Sequence, residues 1–409
     1  MNPIKMIKHN SMLYVSFNQD NSFFSIGTET GFLIYQTFPF IEPYERKMDG
    51  GIGVVEMLYK SNYLALMGGG RNPKYSKNKL IIWDDHENKI ISELKFTTSI
   101  INIKLKEDLL FVVCQKIIYI FDLNVFEVKE QIETGDNKNE LIAINNGHEY
   151  TVLAYPSLQG ANKITIKNYA EKTIFTFTAQ DDSVSKININ NSGKLIASSN
   201  ENGTIIRIHS SIDGMLLQEF KRGHEKAKIN CICFDNDSKL MAISSSRGTI
   251  HIFSMGSTFK KLREHEKMKE EKKINNLKND GENRETKDIK EEIIYNEHKK
   301  DSNEKNKDNN INNDMEKEKE NIYNELKNEE QLPENTKTFF GGIFGSQIEK
   351  SFAKVRIKSQ DSICAFAKNN ILAIISSDNK YYLAEIDNKN GGDCKIILEA
   401  NLIKGKAIE

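Results

Sequence analysis

Outside one long polar stretch, apolar and polar residues alternate in short runs of five to seven positions. Alternation with period two marks a half-buried β-strand. Clusters of Gly, Asn, Asp and Ser separate the runs, as turns between strands require. Helical periodicity is scarce. Seven runs stand out, each behind a turn: residues 31–35, 80–84, 117–122, 164–168, 203–209, 248–253 and 380–384. The first six recur at intervals of about 38 to 49 residues. The last interval is 131, or 53 once a 78-residue polar stretch is set aside. Repeats of about 40–45 residues predict four-stranded propeller blades. A blade cannot bury its faces alone, so the array must close into a ring. The expectation is an all-β, seven-bladed β-propeller of the WD-repeat type. Trp83-Asp84 is one copy of the Trp-Asp signature and Phe121-Asp122 a degenerate one. Spacing therefore carries the fold more than motif does.

Composition changes the picture at one place. Residues 260–337 hold 41 charged and 14 apolar residues, with 19 positive and 22 negative charges. Such a segment buries too little surface to offset chain entropy. It is expected to be a largely disordered, Asn/Lys/Glu-rich insertion in blade six, with short helices conceivable at 315–327. Residues 1–259 and 338–409 then form the propeller. Without the insertion, apolar residues make up about 43% of the chain, an ordinary globular share.

Charge and cysteine usage exclude several roles. Lys+Arg number 57 against 58 Asp+Glu, so no global positive field attracts nucleic acid. No run of 18 apolar residues exists, and the first twelve residues lack the apolar core of a signal peptide. The five cysteines, Cys114, Cys231, Cys233, Cys364 and Cys394, are odd in number and scattered, which suits free thiols in a reducing cytosol. Cys231 and Cys233 read as buried strand neighbours, a Cys-x-Cys pair being a weak metal signal. The run Gly68-Gly69-Gly70 lacks the phosphate-loop pattern and reads as a turn. No catalytic set, metal-ligand set or cofactor motif is found, so no enzyme is expected.

The informative segment is Phe220-Lys221-Arg222-Gly223, between the fifth and sixth blades. Adjacent side chains on an extended backbone point to opposite faces. Lys221 and Arg222 can therefore serve two pockets. Ser198, Ser199, Thr204 and Arg207 flank one side; Ser244, Ser245, Thr249 and His251 flank the other. Phosphate recognition needs such charged donors and short hydroxyls together. Taken singly, each hydroxyl or imidazole also fits a hydrogen bond within a blade.

These residues resemble the PROPPINs, the phosphoinositide-binding WD-repeat propellers of autophagy. The family hallmark is Phe-Arg-Arg-Gly or Leu-Arg-Arg-Gly. The flanks Asn202-Gly-Thr-Ile-Ile-Arg207 and Ser245-Ser-Arg-Gly-Thr-Ile-His-Ile-Phe253 match as well. So do Gly68-Gly-Gly-Arg-Asn-Pro73 and the opening blade. The resemblance implies two rim pockets for phosphatidylinositol 3-phosphate and the 3,5-bisphosphate. The first would use Ser198 or Ser199, Thr204, Arg207 and Lys221. The second would use Arg222, Ser244 or Ser245, Thr249 and His251. Lys221 stands where the family has Arg; it keeps the charge but loses the planar fork, so the first pocket should be the weaker. A charged His251 beside phosphate should strengthen binding at mildly acidic pH.

The resemblance also places a membrane-inserting segment in the blade-six loop. Phe339, Phe340, Ile343 and Phe344 would dip into the interface, or else pack on the propeller edge. Asn72, Lys74 and Asn78 lie near a partner-binding edge of blades two and three. The implied role is a monomeric cytosolic effector recruited to phagophore, autophagosome, endosome or vacuole membranes. It would bring lipid-transfer proteins or the conjugation machinery of a ubiquitin-like protein. Plastid membranes are another destination if the source carries a plastid. The alternative is a scaffold that binds only proteins, its lipid pockets degenerate.

Overall fold

The computed structural model describes residues 12–279 and 348–403, with the side chains of 272–279 left aside. Seven antiparallel sheets follow one another along the described chain. Blade one runs from Met12–Phe17 to Tyr44–Lys47, blade two from Ile52–Met57 to Lys89–Lys95, and blade three from Asn102–Lys106 to Glu127–Glu133. Blade four runs from Ala143–Ile144 to Thr173–Thr178 and blade five from Val184–Ile189 to Leu216–Lys221. Blade six joins Ile229–Phe234, Leu240–Ser245 and Thr249–Ser254 to Ala353–Arg356, across the insertion. Blade seven runs from Ser362–Lys368 to Lys395–Asn401. The fold is a seven-bladed β-propeller.

Each of the seven sequence runs lies in the third strand of its blade. The first strands of neighbouring blades pack on one another and so line the axis. Fourth strands such as Lys89–Lys95 lie outermost, largely exposed. The blades repeat even their irregularities. A bulge falls at Ile82/Trp83, Ile120/Phe121, Ile208/His209 and Leu383/Ala384, always between third and fourth strands. A bulge increases local twist, which a radial blade needs. The Trp-Asp aspartate acts locally. Asp84 Oδ1 accepts the amides of His86 and Glu87, closing the turn into the last strand.

The ring closes by side-chain packing. Among the described residues, no ladder joins amino-terminal and carboxy-terminal strands. Instead, Phe24 and Phe40 of blade one and its exit stack on Tyr381 of blade seven at centroid separations of 5.4 and 4.5 Å, and Tyr35 stacks on both phenylalanines. The Tyr35 hydroxyl donates to the Leu402 carbonyl and that of Tyr381 to the Thr37 carbonyl.

Two features go beyond the sequence reading. Blade five gains a fifth strand, Ile348–Lys350, which runs parallel to Leu216–Lys221 and pairs Lys350 with Lys221. Blade six gains Gly392–Asp393 in the same way. The second feature falls at the start of residues 260–337, the charged insertion in blade six. A helix, Gly256–Asn279, includes the first twenty of them. The segment is built of good helix formers. Opposite charges fall three or four apart at Arg263/Glu266, Glu266/Lys269 and Lys267/Glu271, which supports a helix. Residues 280–337, including 315–327, lie outside the described residues, as do Phe339, Phe340, Ile343 and Phe344.

Candidate functional site

The outermost antiparallel strand of blade five carries the basic pair into place. Its register against the third strand sets Arg207 opposite Glu219 and Ile205 opposite Lys221. Lys221 thus shares a face with Glu219 and Arg207. Phe220 points the other way, its ring 5.0 Å from that of Phe253 in blade six. The ladder continues one residue further, the Arg222 amide donating to the Thr204 carbonyl at 2.9 Å. Alternation therefore puts Arg222 on the blade-six side. The two cations are splayed to opposite faces.

On the Lys221 face, Ser198 sits opposite Arg207. Its hydroxyl is buried and takes a hydrogen bond from Gln180 Nε2 at 2.9 Å. Ser199 is next in the strand and faces away, its hydroxyl bonded to that of Ser185 at 3.1 Å. Arg207 is fully engaged. Both terminal nitrogens bind Asp181, at 2.9 and 2.7 Å, and Nε binds Glu219 at 2.7 Å. Lys221 is half-buried, and its ammonium has no hydrogen bond or ion pair among the described residues. The backbone of Thr204 is tied to Arg222, not to Lys221.

The other face is richer in positive charge. Arg222 is 5% exposed. Its Nε donates to the Gly203 carbonyl at 2.6 Å and its Nη2 to the Glu225 carbonyl. Burial lowers its pKa, and the nearby Arg247 guanidinium lowers it further. Arg247 itself pairs with Glu225 at 2.7 Å. Thr249 and His251 share a face of blade six and stand opposite Arg356 and Lys354 on the next strand. Arg356 Nη1 contacts Asp393 at 3.1 Å. The imidazole of His251 lies 3.3 Å from the Ser351 hydroxyl. Burial, then the charges of Arg222, Lys354 and Arg356, push its pKa down to about 4. The buried Ser245 hydroxyl has no hydrogen-bond partner among the described residues. Ser244 faces blade seven and donates to the Ser362 carbonyl at 2.6 Å.

The two serines of each pair thus face opposite sides of their strand. Ser198 joins Arg207, and Ser245 shares the His251 side of its strand. Ser199 bonds within blade five, to Ser185, and Ser244 turns to blade seven. Three cations were missed from sequence. Arg247 lies inside the matched run 245–253, between Ser246 and Gly248, and could have been found there. Lys354 and Arg356 come after the insertion, and only strand pairing reveals them.

A second feature lies between blades two and three. An apolar groove of about 300 Å³ is lined by Leu58, Tyr63, Ile82, Ile91, Leu123 and Phe126, among others. Tyr63 and Ile91 are exposed. Asn78 lies at the opposite end of the same strands, where its Nδ2 holds the Phe96 carbonyl at 3.0 Å. No described helix is long and apolar enough to cross a membrane.

Comparison with known proteins now has a geometry to meet. Autophagy-related protein 18e of Arabidopsis thaliana is 34% identical over 221 residues, which cover 53% of this chain and 59% of that protein. Autophagy-related protein 18 of Komagataella pastoris is 29% identical over 265 residues, covering 56% of this chain and 49% of that one. The chain thus spans between about half and three fifths of these relatives' lengths. Among solved structures, Kluyveromyces lactis Hsv2 with its complete loop 6CD aligns with a TM-score of 0.65 at 19% identity, covering 97% of this chain and all of that one. KlAtg21, solved in complex with the coiled coil of AgAtg16, also gives 0.65, at 17% identity, over 96% of this chain and all of that one. These likenesses bear on fold alone. The PROPPIN family model matches residues 11–268, more than half of the chain and all of blades one to five, the basic pair included. By that match the chain belongs to the PROPPIN family.

Proposed function

We propose that this PROPPIN is a non-enzymatic effector that binds phosphatidylinositol 3-phosphate and phosphatidylinositol 3,5-bisphosphate and recruits partners to the membranes bearing them. The carrying observation is the surplus of cations at the seam of blades five and six. Arg222 is buried, yet its hydrogen bonds reach only carbonyls. A buried charge without a counter-charge is costly. Arg247, Lys354 and Arg356 add to it, while Glu225 and Asp393 answer only in part. A phosphate supplies the missing charge, and the unpartnered Ser245 hydroxyl has a donor to offer it.

The Lys221 face is the weaker site on this reading. Lys221 lacks the guanidinium fork. Arg207 is already neutralised by Asp181 and Glu219, so phosphate must compete with two carboxylates. Two sites on one rim can engage one bilayer, and avidity then rises ~10²–10⁴-fold. Phe339, Phe340, Ile343 and Phe344 would add an apolar contact with the same membrane.

Liposome flotation tests the proposal. Flotation should depend on phosphatidylinositol 3-phosphate and fail when Lys221 and Arg222 both become Thr. Arg222→Thr alone should lose about 10–100-fold in affinity, the worth of a charged hydrogen bond. Lys221→Thr alone should lose only a few-fold. Equal flotation of the double variant and its parent would favour a protein-only scaffold, a reading that the occupied Arg207 also suits.

Partner recruitment fits the groove between blades two and three, an apolar pocket on an exposed edge. The names of the relatives point to autophagosome biogenesis, with peripheral residence on phagophore, endosome or vacuole membranes. A plastid membrane is the further destination this reading allows. Lipid-transfer proteins and the conjugation machinery of a ubiquitin-like protein are the partners it expects.

A further inference from the structure

The innermost strands of blades six and seven, Ile229–Phe234 and Ser362–Lys368, meet on a face that carries three thiols. Cys231 and Cys233 are two apart in one strand, so their side chains point the same way. Cys364 reaches them from the next blade. Its Sγ lies 3.7 Å from Cys233 Sγ, and its carbonyl oxygen 3.3 Å from Cys231 Sγ. All three sulfurs lie within 4.8 Å of one another. They are free thiols, each at most 1% exposed, within the apolar core shared by blades one, six and seven.

Buried thiols often pack merely as small hydrophobes. Here the spacing does more. Three sulfurs bound to one cation at about 2.3 Å stand roughly 4 Å apart. Cys233 and Cys364 already have that separation, so little backbone movement is needed. The ligand chemistry also selects. Sulfur alone excludes hard cations such as magnesium and calcium. Among the described residues no His or carboxylate joins the cluster. Zinc favours four ligands, and its fourth would have to be water in an apolar core. Copper(I) is soft and accepts three sulfurs.

We propose that Cys231, Cys233 and Cys364 form a copper(I) site that clips blade six to blade seven. On binding, the thiols release their protons to solvent as the copper–sulfur bonds form. No electron moves, because the metal arrives already reduced. The thiolates leave a negative surplus, and Lys186, which interacts electrostatically with Cys231, offsets part of it. The site is independent of lipid binding.

The test uses the full chain under anaerobic conditions, with copper(I) supplied against a competing chelator. One copper per chain should be withheld from the chelator, X-ray absorption should show sulfur ligands only, and the thermal midpoint should rise. The triple variant Cys231→Ser, Cys233→Ser, Cys364→Ser keeps Cys114 and Cys394 as controls and should lose the uptake. No uptake by the parent, or undiminished uptake by the triple variant, overturns the site. If the variant fails to unfold cooperatively, the parent's X-ray absorption decides: nitrogen or oxygen ligands overturn it. Zinc(II) retained as tightly as copper(I) overturns the choice of cation.

Discussion

At the residue scale, His251 shows how one side chain reports on both fold and ligand. Its neutral form is favoured by burial first and by Arg222, Lys354 and Arg356 next, which brings its pKa to about 4. An unfolded chain holds the imidazole near 6.5. The folded pKa is depressed, so the unfolded state binds more protons between those values. Stability from this group is full above pH 6.5 and is lost as pH falls toward 4. A bound phosphate reverses the balance, because its charge favours imidazolium. Lipid affinity should therefore rise as pH falls below the imidazole's pKa in the complex and level off near 4, with at most about tenfold per pH unit from this one proton. The phosphate itself loses charge near pH 6, which works the other way. Comparing the parent with His251→Gln isolates the histidine: the parent's affinity should gain on the variant's as pH falls. Parallel profiles from pH 7 to 5 would remove His251 from the site.

At the element scale, the turn before the third strand of blade five fixes Arg222. Gly203 has φ +60°, and a Cβ there would lie 2.1 Å from the Ala227 carbonyl oxygen. Its own carbonyl is the acceptor for Arg222 Nε. Gly203→Ala should therefore cost about 1–3 kcal/mol of stability. It should also weaken lipid binding without removing any cation. A thermal melt and a flotation assay on the same sample check both; an unchanged melt would show that the turn tolerates a side chain. The sequence made this element legible because its apolar positions alternate: Ile206 and Ile208 are buried, while Ile205 and Arg207 between them are only partly so. The fifth strand Ile348–Lys350 was not legible, since three residues with no alternation carry no period. The helix Gly256–Asn279 was hidden for another reason. Its charge content matches that of a chain too polar to fold, and only the three- and four-residue spacing of opposite charges separates the two. In the site, Lys221 and Arg222 were legible because strand alternation splays any adjacent pair. Arg207's engagement by Asp181 was not, because that contact depends on how the linker from blade four returns. Cys364 was equally hidden: 131 residues separate it from Cys233.

At the scale of the whole molecule, stability rests on how the last blade meets the first. With no shared ladder among the described residues, the junction is held by its aromatic stack, two tyrosine hydroxyls, the Asn21 amide on the Phe366 carbonyl and the surrounding apolar core. Tyr381 is fully buried, lies 4.5 Å from Phe40 and 5.4 Å from Phe24, and donates to the Thr37 carbonyl. Replacing it by Ala removes the ring and leaves a cavity, at a cost of about 3–5 kcal/mol. Tyr381→Phe keeps the ring and leaves only the carbonyl unpaired, about 1–3 kcal/mol. Ile174, 62% exposed on the outer strand of blade four, is the control, and Ile174→Ala should stay within about 0.5 kcal/mol. Denaturant unfolding of the three variants separates two ways of closing a ring. If packing closes it, the costs fall in the order Ala, Phe, control, and the whole transition shifts as one because every blade leans on its neighbours. If Tyr381→Ala unfolds at the parent's midpoint, closure must come from outside the described residues, and the stacked aromatics are ornament to a joint made elsewhere.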